Sequence, residues 1–214
     1  MLAYKYRSSE QIDKVFDIIF NNRLYCSDWN NLNDPMEGVF EYTYNGIHKV
    51  DAKKQIEEVI TSKQRIKVCS LSKTYRSHLL WSHYANGFDG VSVEVNIDIT
   101  DSKIKNIKYW DLFTVVTVPF IENPEKIANQ ILTQKYKEWK YEKEIRILNQ
   151  DEWYYLKQPV KHIITGHRIK PALYDALKII CQSKDIILST TKIETNGINL
   201  IEMFNPKWNL VNSI

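Results

Sequence analysis

Apolar positions along this chain repeat with two periods, and the switches between them mark out its elements. "GVSVEVN" (90–96) alternates without a break, with Val91, Val93 and Val95 on one side and Ser92, Glu94 and Asn96 on the other. That is the period of a half-buried strand. Strand patterns also cover 2–7, 24–27, 65–73, 112–120, 160–166, 185–191 and 198–203. Helical spacing appears at Ile12, Val15, Phe16 and Ile19, preceded by Ser8 and Gln11 at the separation of a capping box. A second helix is predicted over 51–64 with Ile56, Val59 and Ile60 inward, and a short one over 77–87 that Gly87 stops. Pro124 opens another, predicted over 124–139, at a position where proline is tolerated, and 171–181 completes the set. Several strands follow one another directly. The pattern predicts an α+β fold, with a mixed, mainly antiparallel central sheet and flanking helices. No repeat or linker divides the chain, so 1–214 reads as one domain.

Composition narrows the function classes. Twenty-nine basic against 26 acidic residues give a net charge of +3 without any concentrated basic run, which is no footprint for nucleic acid by itself. No apolar stretch approaches membrane-spanning length and the N-terminus has no apolar leader segment, so a cytoplasmic protein with no membrane partner is expected. Cys26, Cys69 and Cys181 form no CxxC pair, and they read as buried thiols in a reducing compartment. No GxGxxG or P-loop motif is present, which argues against a classical dinucleotide or P-loop site.

The segment "WKYEKEIRI" (139–147) carries the densest candidate chemistry. Read as a strand, it aligns Glu142, Glu144 and Arg146 on one face, with neighbouring Cα atoms about 6.5–7 Å apart. Like charges at that range raise one carboxyl's pKa while the arginine lowers its neighbour's. The alternative is a solvent-facing strand laced by ion pairs of about 1 kcal/mol at most. "LLWSHYANG" places Trp81, His83 and Tyr84 together on a helix. His83 suits general acid–base work and the two aromatics suit stacking on a planar ring, while the plainer reading fills the core with them. In "NDPMEG", Asp34 serves either a site or an Asx-turn before Pro35. Asp34, Glu37, His83 and Glu94 include metal-ligand types, but without HExxH or an Asp-rich loop no metal is expected. His162 and His167 read as structural.

Taken in order, "YKYR", "LYCSDWNNLNDPMEG", "VCSLSK", "LLWSHYANGFDGVSVEV", "WKYEKEIRIL" and "VKHIITG" resemble a bacterial domain-of-unknown-function family with W-S-H-Y-A and W-x-Y-E-x-E-x-R signatures. The resemblance spans nearly the whole chain. It implies functional roles for Arg7, Asp34, Trp81, His83, Tyr84, Glu142, Glu144 and Arg146, and a setting in antiviral defence. A looser similarity is to mono-ADP-ribosyltransferases with an early Arg, a Ser-x-Ser strand and a late Glu-x-Glu. Here these are Arg7, Ser70–Leu71–Ser72 and Glu142–Lys143–Glu144. That similarity implies NAD as co-substrate: Arg7 would hold its phosphate or ribose and Ser70 or Ser72 would support the site. Glu144 would stabilise an oxocarbenium-like transition state, and Glu142 would activate the acceptor. Leu71 departs from the usual Thr, and Arg146 follows the glutamates at once.

Four functional readings stand at this point. The first is a nucleotide-processing enzyme that takes a nucleotide-like small molecule and acts on a protein or nucleic-acid target. The second is a non-catalytic nucleotide or nucleic-acid sensor. The third is a metal-dependent nuclease built on Asp34, Glu94 and the glutamate pair. The fourth is a buried ion-pair network of Glu142, Glu144, Arg146, His83 and Arg7 that only holds the fold.

Overall fold

The computed structural model describes residues 1–46, 49–120 and 122–207. Nine strands form the main sheet: β1 (Leu2–Ser8), β2 (Ser27–Asp28), β3 (Lys67–Ser72), β4 (Gly90–Asn96), β5 (Ile104–Asn106), β6 (Glu144–Asn149), β7 (His162–Thr165), β8 (Ile187–Glu194) and β9 (Gly197–Phe204). Their order across the sheet is β9-β8-β7-β4-β1-β3-β6-β5, with β2 added on β3. Every pair is antiparallel except β7 with β8. The helices are α1 (Ile12–Asn21), α2 (Lys49–Gln64), α3 (His78–Tyr84), α4 (Pro124–Ile131) and α5 (Pro171–Ser183). The fold is α+β, as the interspersed patterns predict.

Alternation sorts the sheet's side chains onto two faces. Ala3, Val91, Val93, Val95, Ile145 and Ile163 join the largest apolar core with α1 and α5. Tyr4 and Tyr6 point the other way into a second core with Leu80 and Trp81 of α3. Both faces of the central strands are covered, so polar positions such as Lys5 and Ser92 are buried along with the apolar ones.

One irregularity in the sheet decides where a site lies. β6 pairs with β3 along its whole length, from Lys67 to Ser72. The opposite edge of β3 is divided. β1 meets it only at Tyr4 against Ser72, and β2 meets it only at Val68 and Lys67. Between these partners the carbonyl of Ser70 has no strand beside it, and the Lys5 Nζ bonds it at 2.8 Å. A buried carbonyl needs a partner, and here a side chain reaches into the gap to supply it.

Several element predictions need correction. The helix predicted over 124–139 stops at Ile131, where the Thr133 hydroxyl donates to the Asn129 and Gln130 carbonyls at 2.8 and 3.1 Å. Residues 134–136 then pair in parallel with 108–110. Residues 40–44 form an unpredicted strand, parallel to 114–118, packed on α2 and α4 through Val116 and Val118. In α2, Ile56 and Val59 face inward as predicted, but Ile60 is exposed, and Ala52 and Lys63 complete the buried face. The capping box is not formed: neither Ser8 nor Gln11 makes a side-chain cap bond.

Candidate functional site

The opening predicted as a strand from residue 139 folds differently. Lys137–Glu142 is a 3-10 turn, and Lys143 takes a left-handed conformation, φ 46°, before β6 begins at Glu144. Few residues other than glycine or asparagine accept that conformation, and the Lys143 N–H closes the turn on the Lys140 carbonyl at 3.2 Å. Glu142 therefore does not share a strand face with Glu144 and Arg146. The turn nevertheless aims its carboxylate at the same place.

That place is a cavity of about 720 Å³ at the gap between β1 and β3. On the α3 side it is lined by His83, Tyr84, Lys135, Glu142, Glu144 and Arg146. Lys5, Arg7, Lys14 and Tyr25 line it as well, along with Gln11 at the start of α1. Lys5 and Arg7 alternate with Tyr4 and Tyr6 along β1, so they belong to the opposite sheet face. The cavity reaches both faces because the sheet is split there.

Its floor is a continuous buried chain of charges. Arg146 Nη1 and Nη2 bond the two oxygens of Glu37 at 2.5 and 2.7 Å, while Nε and Nη2 bond those of Glu144 at 2.7 and 3.1 Å. Nη1 also donates to the Leu132 carbonyl at 2.7 Å. Lys135 Nζ bridges Glu144 and Glu142 at 3.2 and 2.6 Å. The Tyr84 hydroxyl donates to the other Glu142 oxygen at 2.7 Å, and the Tyr109 hydroxyl accepts from the Glu144 backbone N–H at 2.7 Å.

The two glutamates are driven apart electrostatically. Burial opposes ionisation of Glu144, but Arg146 and Lys135 outweigh it and hold the carboxyl down at about 2. Burial raises the pKa of Glu142, and the charge of Glu144 adds to the rise against the pull of Lys135. Charge balance agrees. Three carboxylates face two cations in this chain, so protonating one of them brings the cluster to neutrality, and Glu142 takes the proton most readily. A titratable pair split in this way is the arrangement from which acid–base roles are read.

Of the residues singled out in the sequence, Arg7, Ser70, Ser72, His83, Tyr84, Glu142, Glu144 and Arg146 all line the cavity. Their roles differ from expectation. Ser72 is tied up locally, donating to the Glu142 carbonyl at 2.7 Å and accepting from the Thr74 N–H at 3.1 Å. His83 stands exposed at the rim, its ring 6.3 Å from that of Tyr141. Tyr84, not His83, makes the bond to the catalytic candidate. Arg7 and His83 are not members of the ion-pair chain, whose other partners are Glu37 and Lys135.

Three candidates fall outside. Trp81 has no exposed surface. Its ring stacks on Phe88 at 5.4 Å and its Nε1 donates to the Tyr75 carbonyl at 2.7 Å, so it offers no ligand a face. Asp34 forms the Asx-turn, accepting from the Met36 N–H at 2.9 Å, and this loop delivers Glu37 to Arg146. Glu94 lies across β1, where it accepts from the Tyr4 hydroxyl at 3.0 Å and faces His162 Nδ1 at 3.6 Å. The nuclease donor set of Asp34, Glu94 and the glutamate pair is thus not gathered in one place.

Lys135 carries no sequence signal of a site, because its segment has the local pattern of a helix continuing to residue 139. Glu37, a metal-ligand type in the sequence, is instead the bidentate partner of Arg146. Neither position carries a local signal of its role; only the short β-pairing of 134–136 turns Lys135 inward.

Among the described residues no helix is long and apolar enough to cross a membrane. No protein-family model, curated protein or solved structure matches the chain.

Proposed function

We propose that this protein is an enzyme that binds a nucleotide-like ligand in the divided cavity and moves a proton with Glu142. The observation that carries the reading is the opposite displacement of two carboxyls bridged by one lysine at the cavity floor. Glu142 is the general acid–base group: it lines the cavity, its raised pKa brings its proton exchange towards neutral pH, and Tyr84 and Lys135 fix its orientation. Glu144 is a positioning residue. Both its oxygens are occupied by Arg146 and Lys135, leaving its charge neutralised within the protein.

The rest of the cavity suits the ligand class. Arg7 and Lys14 supply positive charge away from the glutamates, and the Arg7 Nε is buried without a partner. Such a group costs stability until an acceptor arrives, and a phosphate oxygen is the acceptor an arginine matches best. Tyr4, Tyr6 and Tyr25 add aromatic lining. The ordered similarity of Arg7, Ser70–Ser72 and Glu142–Glu144 to mono-ADP-ribosyltransferases makes NAD the first substrate to test, with cleavage or transfer at its N-glycosidic bond.

The test is incubation with NAD followed by mass-spectrometric quantification of nicotinamide and ADP-ribose products. Release above the level seen with Glu142→Gln supports the reading; release equal in both proteins refutes it. Arg7→Gln is expected to raise KM for NAD about tenfold or more, the loss of one charge-assisted bond of about 1.5–3 kcal/mol, with a smaller effect on kcat. A second reading, ligand sensing without catalysis, draws on the saturation of Glu144 by its own neighbours. Calorimetric binding of NAD that persists in Glu142→Gln, with no turnover in either protein, selects it.

A further inference from the structure

Cys26 and Cys69 lie in the core directly behind residues that line the cavity, and their pairing follows from register. β2 runs antiparallel to β3 with Ser27 opposite Val68 and Asp28 opposite Lys67. One step further places Cys26 opposite Cys69. The Cys26 N–H donates to the Glu152 carbonyl at 2.7 Å and not to β3. The two cysteines therefore face each other as a non-hydrogen-bonded pair, the closer of the two antiparallel spacings. Facing Cα atoms in such a pair lie about 4.5 Å apart, within the range a disulfide spans.

The surroundings distinguish this pair from two core thiols. Both belong to one apolar cluster and neither has measurable exposure beyond one per cent. Yet Lys5, buried beside them, is pushed down by burial and its charge bears on both sulfurs. Bonding from Cys26, helped by Lys5 and Arg7 against burial, lowers the Cys69 thiol to about 6, while Cys26 is raised. One sulfur is thus the better nucleophile and its neighbour the proton holder. Cys181, by contrast, is raised to about 12 by burial alone.

We propose that Cys26 and Cys69 are a redox pair which a hydroperoxide converts to an intramolecular disulfide at the cavity wall. The Cys69 thiolate attacks one peroxide oxygen; a sulfur–oxygen bond forms, the oxygen–oxygen bond breaks, and the departing oxygen takes a proton to leave as water or an alcohol. The Cys26 sulfur then attacks the Cys69 sulfenic sulfur, the sulfur–sulfur bond forms, and hydroxide leaves with the Cys26 proton as water. The two sulfurs together lose two electrons and the peroxide gains two. Burial restricts the oxidant to one small enough to enter the gap, which makes hydrogen peroxide the probe. Tyr25 and Ser27 flank Cys26, Val68 and Ser70 flank Cys69, and all four line the cavity. The bond therefore ties together two segments of its wall. This inference is independent of the enzymatic reading.

The experiment treats folded, reduced protein with hydrogen peroxide, blocks remaining thiols, and maps peptides without reduction. The expected product has lost two hydrogens, links Cys26 to Cys69, leaves Cys181 alkylated, and returns to three free thiols with dithiothreitol. In Cys26→Ser the intermediate has no partner, and Cys69 is expected to be trapped as a sulfenic acid when the peroxide-treated protein is unfolded in urea containing dimedone. The proposal is overturned if the link forms only after urea unfolding, or if Cys181 oxidises at the same peroxide concentration as the pair. The wild-type map decides the matter even if Cys26→Ser does not fold.

Discussion

Arg146→Met is expected to destabilise the protein by about 3–5 kcal/mol, the cost of stranding buried charges whose partner has been removed. Arg146 is fully enclosed and holds both oxygens of Glu37 and both of Glu144. Methionine keeps an unbranched apolar stem but no guanidinium, and leaves two carboxylates facing each other across an apolar chain. For a protein of this size the loss corresponds to a fall of roughly 6–20 °C in Tm, read by thermal or urea unfolding at pH 7. The pH dependence follows from Glu144. Its pKa falls from 4.5 in the unfolded chain to about 2 in the folded one. A depressed carboxyl contributes stability above its unfolded pKa and loses it as pH falls through the folded value. The gap between wild type and Arg146→Met should therefore be widest above about pH 5 and narrow between pH 4.5 and 2. A gap that stays constant across that window contradicts the network described here.

Glu142→Gln is expected to do the reverse, leaving the fold nearly intact and removing turnover. Glutamine keeps an oxygen to accept from Lys135, and Tyr84 can turn its hydroxyl to accept from the new amide. The raised pKa means that ionising Glu142 costs folding energy: its contribution is complete below the unfolded pKa and declines as pH rises through the folded one. Removing that group should change stability at pH 7 by no more than about 1 kcal/mol. Loss of a general acid–base group costs roughly 10²–10⁴ in kcat. The wild-type rate should carry an ionisation limb displaced above the ordinary glutamate range, and the limb should vanish in Glu142→Gln. Glu144→Gln provides the contrast: it strands Arg146 and Lys135, so its main effect is a loss of stability. Should Glu142→Gln unfold as severely as Glu144→Gln, both glutamates serve the scaffold alone.

The two variants also measure how far a linear pattern reaches. "EKEIR" looks like one row on one strand, and in the structure it is a turn followed by a strand. Glu142 and Glu144 still converge, but through Lys135, which joins them from a segment whose local pattern reads as helix. Trp81, His83 and Tyr84 look equivalent as neighbours on a short helix. Packing sorts them: Trp81 enters the core beside Phe88 and Tyr6, His83 stays at the rim, and Tyr84 reaches Glu142.

What the sequence determined by itself was local. Period-two and period-3.6 patterns specify which segments become strands or helices, because alternate burial and one-sided burial are properties of consecutive residues. The α+β class follows from that. Tertiary structure alone decided that β3 shares one edge between β1 and β2, leaving the gap that Lys5 bridges. It also decided that Glu37, about a hundred positions from Arg146, is its bidentate partner, and that Cys26 faces Cys69. Such pairings depend on which strands become neighbours and in what register. Register is set by the packing of the whole sheet, and no window along the chain contains it.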